Sequence, residues 1–301
     1  MPLVGRKKDV WIAVIPLGSP ADAWKHIHEG ALQGGRDFGI RVVWCEPTPN
    51  LTQPQIIADC IAHHASGIVL APVTDAALEG PVRKAQSDGI PVVIIDSPLR
   101  SGASVSVVKP DNYRAGGLAA QRAIEILGGK GSVVLMRCWK DSEAPSEREQ
   151  GFLETLKGSG VNLISDSYYG GNDLPTSLKT AKRLIEDLDL AHRTHVAVVT
   201  VTENNTVGML TELEATKVAG KVKFIGFDAC NKLIEGLRDG EIDALLVPDF
   251  NEIGYLGVKA LSAKISGKFF DSKTLTDVIV VDRDNMAGPE MKALLAPPAA
   301  Y

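Results

Sequence analysis

Asp96-Ser97, Thr202-Glu203-Asn204, Asp228 and Asp249 each stand at the end of a short apolar run. Carboxylates accept two or more hydrogen bonds and hydroxyls both donate and accept, so this is the chemistry of holding a small polar ligand. In an open parallel sheet such ligands bind in the crevice outside the carboxyl ends of the strands. The same residue types are also ordinary helix N-caps and turn residues, so no single position decides. Several carboxylates at strand ends in both halves of the chain carry more weight than any one.

Most enzyme signatures are absent. Ile15-Pro16-Leu17-Gly18-Ser19-Pro20 has one glycine where a dinucleotide fold needs G-x-G-x-x-G. Gly129-Lys130-Gly131-Ser132 lacks the spacing of a phosphate loop, and no G-x-S-x-G elbow occurs. His26 and His28 face different sides of a helix, His63-His64 lacks a partner at ligand spacing, and H-E-x-x-H is absent, so no metal and no cofactor is expected. Asp282-Arg283-Asp284 opens like a calcium loop, but Met286 takes its fifth position and glycine arrives one late. A net charge of −5, from 32 Lys and Arg against 37 Asp and Glu, argues against nucleic acid as a partner.

These residues need a framework of strands and helices. The 301-residue chain alternates Val- and Ile-rich runs with amphipathic segments. Val10–Ile15, Arg41–Cys45, Gly67–Leu70 and Val92–Ile95 read as strands buried on both faces, with helices over 21–38, 52–64 and 75–87 between them. The rhythm restarts after Val105–Val108 and gives about eleven strands, the last at Val278–Val281. One compact sheet rarely holds that many, so the fold class is α/β with two doubly wound parallel-sheet lobes. No apolar run is long enough to span a bilayer. Arg6-Lys7-Lys8 precedes an apolar run bounded by Asp9 and Pro16, which reads as a first strand and not as a signal peptide; an exported protein would have lost its signal already. The four cysteines fit isolated buried hydrophobes, with Cys45 and Cys60 open to pairing in an oxidising compartment.

Five segments resemble the type I periplasmic sugar-binding proteins, in the ribose-binding branch, whose fold is shared by lactose-repressor-like effector domains. Gly67-Ile68-Val69-Leu70-Ala71-Pro72 is similar to the family's third strand, and Gly89-Ile90-Pro91-Val92-Val93-Ile94-Ile95-Asp96 to its G-I-P-V-V-x-x-D. Asp111-Asn112-Tyr113-Arg114-Ala115-Gly116 resembles D-N-x-x-x-G, Arg148-Glu149-Gln150-Gly151-Phe152 resembles R-x-x-G-F, and Lys223–Asp228 resembles V-x-V-x-G-F-D. The five segments fall in order, and the correspondences run nearly end to end, from Val10 to about Asn285.

The resemblance implies an N-terminal lobe of residues 1–110 plus 249–279 and a C-terminal lobe of 111–248 plus 280–301, joined by crossings near 108–112, 247–250 and 278–283. It implies a monosaccharide or sugar-like polyol gripped in the cleft between lobes that close by a hinge. Asp96 and Asp228 match positions accepting from sugar hydroxyls, Arg148 matches the arginine that donates to them, and Trp24 matches an aromatic position that lies against the ring. Ser97 replaces the arginine of ribose binders, Thr202 a frequent asparagine and Pro248 a glutamine, with Asp249 or Asn251 as substitutes; Ala21 and Ala23 stand where polar or aromatic residues are frequent. Trp139 and Tyr169 are further stacking candidates. The implied role is the non-enzymatic, extracytoplasmic or periplasmic component of an ABC importer, a monomer that docks on permease subunits. The alternative is a sensor that presents bound sugar to a membrane receptor or kinase.

Overall fold

Residues 10–18, 22–73, 75–99, 102–140 and 142–296 are described by the computed structural model. Arg6-Lys7-Lys8 and Ala21 lie outside them. The chain begins β1 (Trp11–Ile15), α1 (Asp22–Phe38), β2 (Arg41–Trp44), α2 (Gln53–Ala62), β3 (Gly67–Leu70), α3 (Asp75–Ser87), β4 (Val92–Ile95) and β5 (Ser106–Pro110). It continues α4 (Asn112–Ile126), β6 (Ser132–Arg137), α5 (Glu143–Leu156), β7 (Asn162–Tyr169), α6 (Leu174–Asp187), β8 (Val196–Thr200), α7 (Glu203–Ala215), β9 (Lys223–Phe227), α8 (Asn231–Asp239) and β10 (Ala244–Pro248). It ends with α9 (Phe250–Ile265), β11 (Lys273–Thr276), β12 (Val278–Val281) and α10 (Pro289–Leu294).

Two compact units result. Among the described residues the first holds those up to 110 and 250–276, and the second holds 111–249 and 277–296. The first sheet has the order β11-β5-β4-β3-β1-β2 and all its pairings are parallel. The second has the order β12-β10-β9-β8-β6-β7, parallel except for the antiparallel edge strand β12. Both are doubly wound α/β sheets.

The period-2 alternation of β1 sorts its side chains: Ile12 and Val14 enter one core layer, Ala13 and Ile15 the other. Strands with apolar residues at every position, such as β4, follow from having a helical layer on each face. Caps begin the helices where the sequence supplies them: Asp111 accepts from the Arg114 amide at 3.0 Å and Asp173 from the Thr176 amide at 2.9 Å.

Two expectations shift. β11 was not anticipated: Lys-Thr-Leu-Thr is a half-exposed edge strand with one large apolar residue, docked where Val107 donates to the Ser272 carbonyl at 3.0 Å. The third passage between units then falls at 276–277, before the expected 278–283, and Asp249 and residues 277–279 lie in the second unit. The reason is β12, which pairs along its whole length with β10, from Leu245↔Val281 to Pro248↔Val278.

Candidate functional site

In the second unit the strand end after β9 carries Asp228, whose φ of 66° is left-handed. That region is uncommon for residues other than glycine, and Asp tolerates it better than most. The Asp228 amide still donates to the Leu246 carbonyl at 2.9 Å, so the ladder to β10 extends one residue beyond the strand while the chain turns sharply away. One carboxylate oxygen, Oδ2, accepts from the Glu203 amide in the first turn of α7 at 2.9 Å, a position where helix N–H groups favour negative charge. Burial raises the Asp228 carboxyl above the ordinary carboxylate range, and the Arg148 charge and the Glu203 amide partly reverse this.

Arg148 arises in the second turn of α5 and is itself buried. Its Nε donates to Asn112 Oδ1 at 2.9 Å and its Nη1 to the Val201 carbonyl at 2.8 Å. The guanidinium lies over the Phe227 ring, with Cζ 4.7 Å from the ring centroid. Arg148 Nη1 stands 3.9 Å from Asp228 Oδ2, an ion pair too long for a hydrogen bond. Among the described residues, Arg148 Nη2 and Asp228 Oδ1 are left without a hydrogen-bond partner. A rigid donor and a rigid acceptor therefore lie side by side with unused capacity. Asn112 Nδ2, buried beside them, also lacks a partner among the described residues.

Arg148 is held by a close helix crossing. A Cβ at Gly116 of α4 would lie 1.8 Å from the Arg148 carbonyl oxygen, and one at Gly151 of α5 would lie 1.9 Å from that of Tyr113. Only glycines permit this approach. The first unit repeats the device between α1 and α9, with Gly30 against the Asn251 carbonyl and Gly254 against that of Ile27.

Asp96 of the first unit repeats the construction of Asp228. Its φ is 68° and its amide donates to the Val108 carbonyl at 2.9 Å, extending β4 onto β5. Ser97 Oγ reaches Asp96 Oδ2 at 3.5 Å. Trp24 is half-buried on α1 and packs against the core layer containing Ile27 and Ala31, so part of its ring is committed to packing.

Of the other expected residues, Thr202 is the N-cap of α7 and its hydroxyl accepts from the Asn205 amide at 3.4 Å. Asp249 is half-buried at the second passage between units. Trp139 is 44% exposed after β6. Tyr169 already carries cations over its ring, Arg137 at 5.1 Å and Lys140 at 5.6 Å. Cys138, beside Trp139, is buried, and burial pushes its thiol up to about 11.

Sequence reasoning missed two buried amides that hold the loops at these strand ends. Gln53, at the start of α2, donates to the carbonyls of Pro16 and Ala71, each at 2.7 Å, and accepts from the Val73 amide at 2.9 Å. It thereby ties the segment after β1 to the segment after β3. Asn205 in α7 donates to the Gly171 carbonyl at 3.1 Å and to Ser177 Oγ at 2.8 Å, fixing the loop after β7. The one signal for either is a polar amide in the first turn of a helix.

A periplasmic binding protein domain family matches residues 12–269 of the chain. The chain belongs to this family, the type I periplasmic sugar-binding proteins, whose members bind solutes for ABC transporters and catalyse no reaction. It is 24% identical over 275 residues to a ribose import binding protein of Haemophilus influenzae, covering 90% of each chain. Among solved structures it is similar to an ABC transporter solute-binding protein of Agrobacterium vitis with bound D-fucose, at 27% identity and a TM-score of 0.81, covering 95% of this chain and 99% of that one. It is also similar to a carbohydrate transporter solute-binding protein of Agrobacterium radiobacter in complex with D-arabinose, at 27% identity and a TM-score of 0.82, covering 96% and 99%.

Proposed function

We propose that the protein binds a monosaccharide or a sugar-like polyol outside the cytoplasm and delivers it to the permease of an ABC importer. The observation that carries this reading is that Arg148 Nη1 stands 3.9 Å from Asp228 Oδ2 while each residue is held by other groups, a fixed donor beside a fixed acceptor. Neighbouring hydroxyls of a sugar supply the complement, one donating to the carboxylate and one accepting from the guanidinium. Asp228, Arg148, Thr202, Asp249, Trp139 and Tyr169 are the ligand-facing candidates of the second unit; Asp96, Ser97 and Trp24 are those of the first. Asp228 and Arg148 lead. The cations on Tyr169 make Trp139 the better stacking candidate of the pair, because its ring is more open. The sugars named for the solved relatives, D-fucose and D-arabinose, define the first compounds to try.

A thermal-shift screen of aldopentoses, hexoses, deoxyhexoses and polyols tests the reading. A bound sugar at a hundredfold excess over its Kd stabilises the folded state by about 2.7 kcal/mol and raises the Tm. A flat response across every sugar and polyol contradicts the carbohydrate assignment.

A further inference from the structure

The second unit has a pocket of about 550 Å³ formed by α8, the turn after β12 and α10. Small-molecule sites occupy about 300–1,000 Å³, so the size suits a compact ligand. Arg238 in the last turn of α8, Arg283 in the turn and Lys292 in α10 line it, with Ile234, Met286 and Leu295 as its apolar side. Among the described residues no carboxylate lines it, and none of the three cations has a hydrogen bond or an ion pair.

This place is distinct from the strand ends that carry Asp228. Leu245 near the start of β10 pairs with Val281, the last residue of the antiparallel β12, so Arg283 emerges beside the amino end of β10. Asp228 follows the carboxyl end of β9, which runs parallel to β10. The two places therefore lie at opposite ends of one sheet.

The turn that carries Arg283 is tied down. Asp282 Oδ1 accepts from the amides of Asp284 and Asn285 at 3.0 and 3.1 Å, and its Oδ2 accepts from Arg122 Nη2 at 2.8 Å. Asn285 Nδ2 donates to the Val280 carbonyl at 2.9 Å. The carboxylate that opens the calcium-like Asp282-Arg283-Asp284 is thus spent on shaping the turn. The Arg283 guanidinium rests on Gly240, the left-handed C-cap of α8 at φ 82°, where a Cβ would meet Nη1 at 2.9 Å and Cζ at 3.3 Å. Glycine at that position lets the fork settle on the helix end.

We propose that this pocket binds a small organic phosphate ester, with its phosphate on Arg238, Arg283 and Lys292 and its apolar body on Ile234, Met286 and Leu295. Guanidinium forks and an ammonium match the oxygens of a phosphate, and the charge-assisted bonds they form are the stronger class. Burial of the apolar body favours the ester over inorganic phosphate. The proposal does not depend on sugar binding at Asp228 and Arg148.

The test is calorimetric titration of the full chain with naphthyl phosphate, with inorganic phosphate and naphthol as its two halves. The expected result is saturable binding at one site per chain, weakened about tenfold in Arg238→Ala and in Arg283→Ala, with each half alone at least about tenfold weaker. Both arginines are exposed, so the variants keep the fold. Binding persists in Asp228→Asn, and the amide resonances that move are those of 234–238 and 283–287. No saturable binding, equal binding in both arginine variants, or binding lost in Asp228→Asn overturns the proposal. So does inorganic phosphate binding as tightly as the ester. Anionic phospholipid vesicles form the last arm: a chain that sediments with them but ignores naphthyl phosphate binds a lipid surface, and the proposal fails.

Discussion

The Arg148 guanidinium stands 3.9 Å from the Asp228 carboxylate as an ion pair without a hydrogen bond. Each partner is fixed by other groups, Arg148 by Asn112, Val201 and Phe227, Asp228 by the Glu203 amide. Both partners thereby keep capacity for another group, and on that ground the pair is proposed as a ligand-binding device.

Asp228→Asn keeps an oxygen for the Glu203 amide but loses the charge that strengthens hydroxyl contacts. A charge-assisted bond is about twice as strong as a neutral one, so affinity for the best sugar of a screen falls by about 100-fold in a calorimetric titration. Arg148→Ala also removes binding, and leaves Asp228 buried without its countercharge. Apo stability then drops by about 3 kcal/mol in urea melts, without loss of the fold. Affinity unchanged in both variants refutes the assignment of these residues.

Binding weakens in acid earlier than an ordinary carboxylate requires. Because burial raises the folded-state value of Asp228, its proton returns at a pH above the usual range, and affinity falls as pH drops through that raised value. Stability runs the other way. Measured against Asp228→Asn, wild-type apo stability declines as pH rises from the ordinary value of 3.8 through the raised folded value, and is flat above it. Titrations from about pH 3 to 8 on both proteins read both trends (the pH range brackets an ordinary and a raised carboxyl). A pH profile shared by wild type and variant contradicts them.

Glycine replacements divide by what a Cβ would meet. Gly116→Ala drives a methyl into the Arg148 carbonyl oxygen, so the crossing of α4 and α5 must open, at a cost of about 3 kcal/mol, and sugar affinity falls with it. Gly80→Ala meets no group within 4 Å beyond its chain neighbours, but the ring of Pro81 that follows it in α3 disfavours a Cβ on the preceding helical residue. The usual helix gain of about 0.5–1 kcal/mol is thereby offset, and stability changes little. Urea denaturation of the two variants beside wild type separates a clear loss from a near-neutral change.

Gln53→Leu orphans two buried carbonyls and one amide at once. The expected loss is about 2–4 kcal/mol, with faster amide hydrogen exchange at Val73. Unchanged exchange there would mean that Gln53 does not hold the loop.

The fold was legible because buried parallel strands are written as Val and Ile runs, as in β3, β4 and β8, and because helices fill the space between them. β11 was not, since an edge strand with a half-exposed face carries no such run. Among the candidate residues, Asp96 in the first unit and Asp228 in the second were visible as carboxylates ending strands, and Arg148 through the resemblance of its motif. Gln53 was invisible because its partners lie 37 and 18 residues away, and only the folded chain brings Pro16 and Ala71 to the start of α2. The helix crossings were equally hidden: Gly116 and Gly30 read as ordinary small helical residues until the opposing carbonyls are placed.

The most direct measurement is isothermal titration of the apo protein with D-arabinose, D-fucose, D-ribose and a polyol, on wild type and Asp228→Asn in parallel. Saturable binding of at least one of them, with one site per chain and a Kd weakened by about 100-fold in the variant, is the predicted result. Equal affinity in the two proteins, or no heat from any of these ligands, contradicts a sugar held by Asp228.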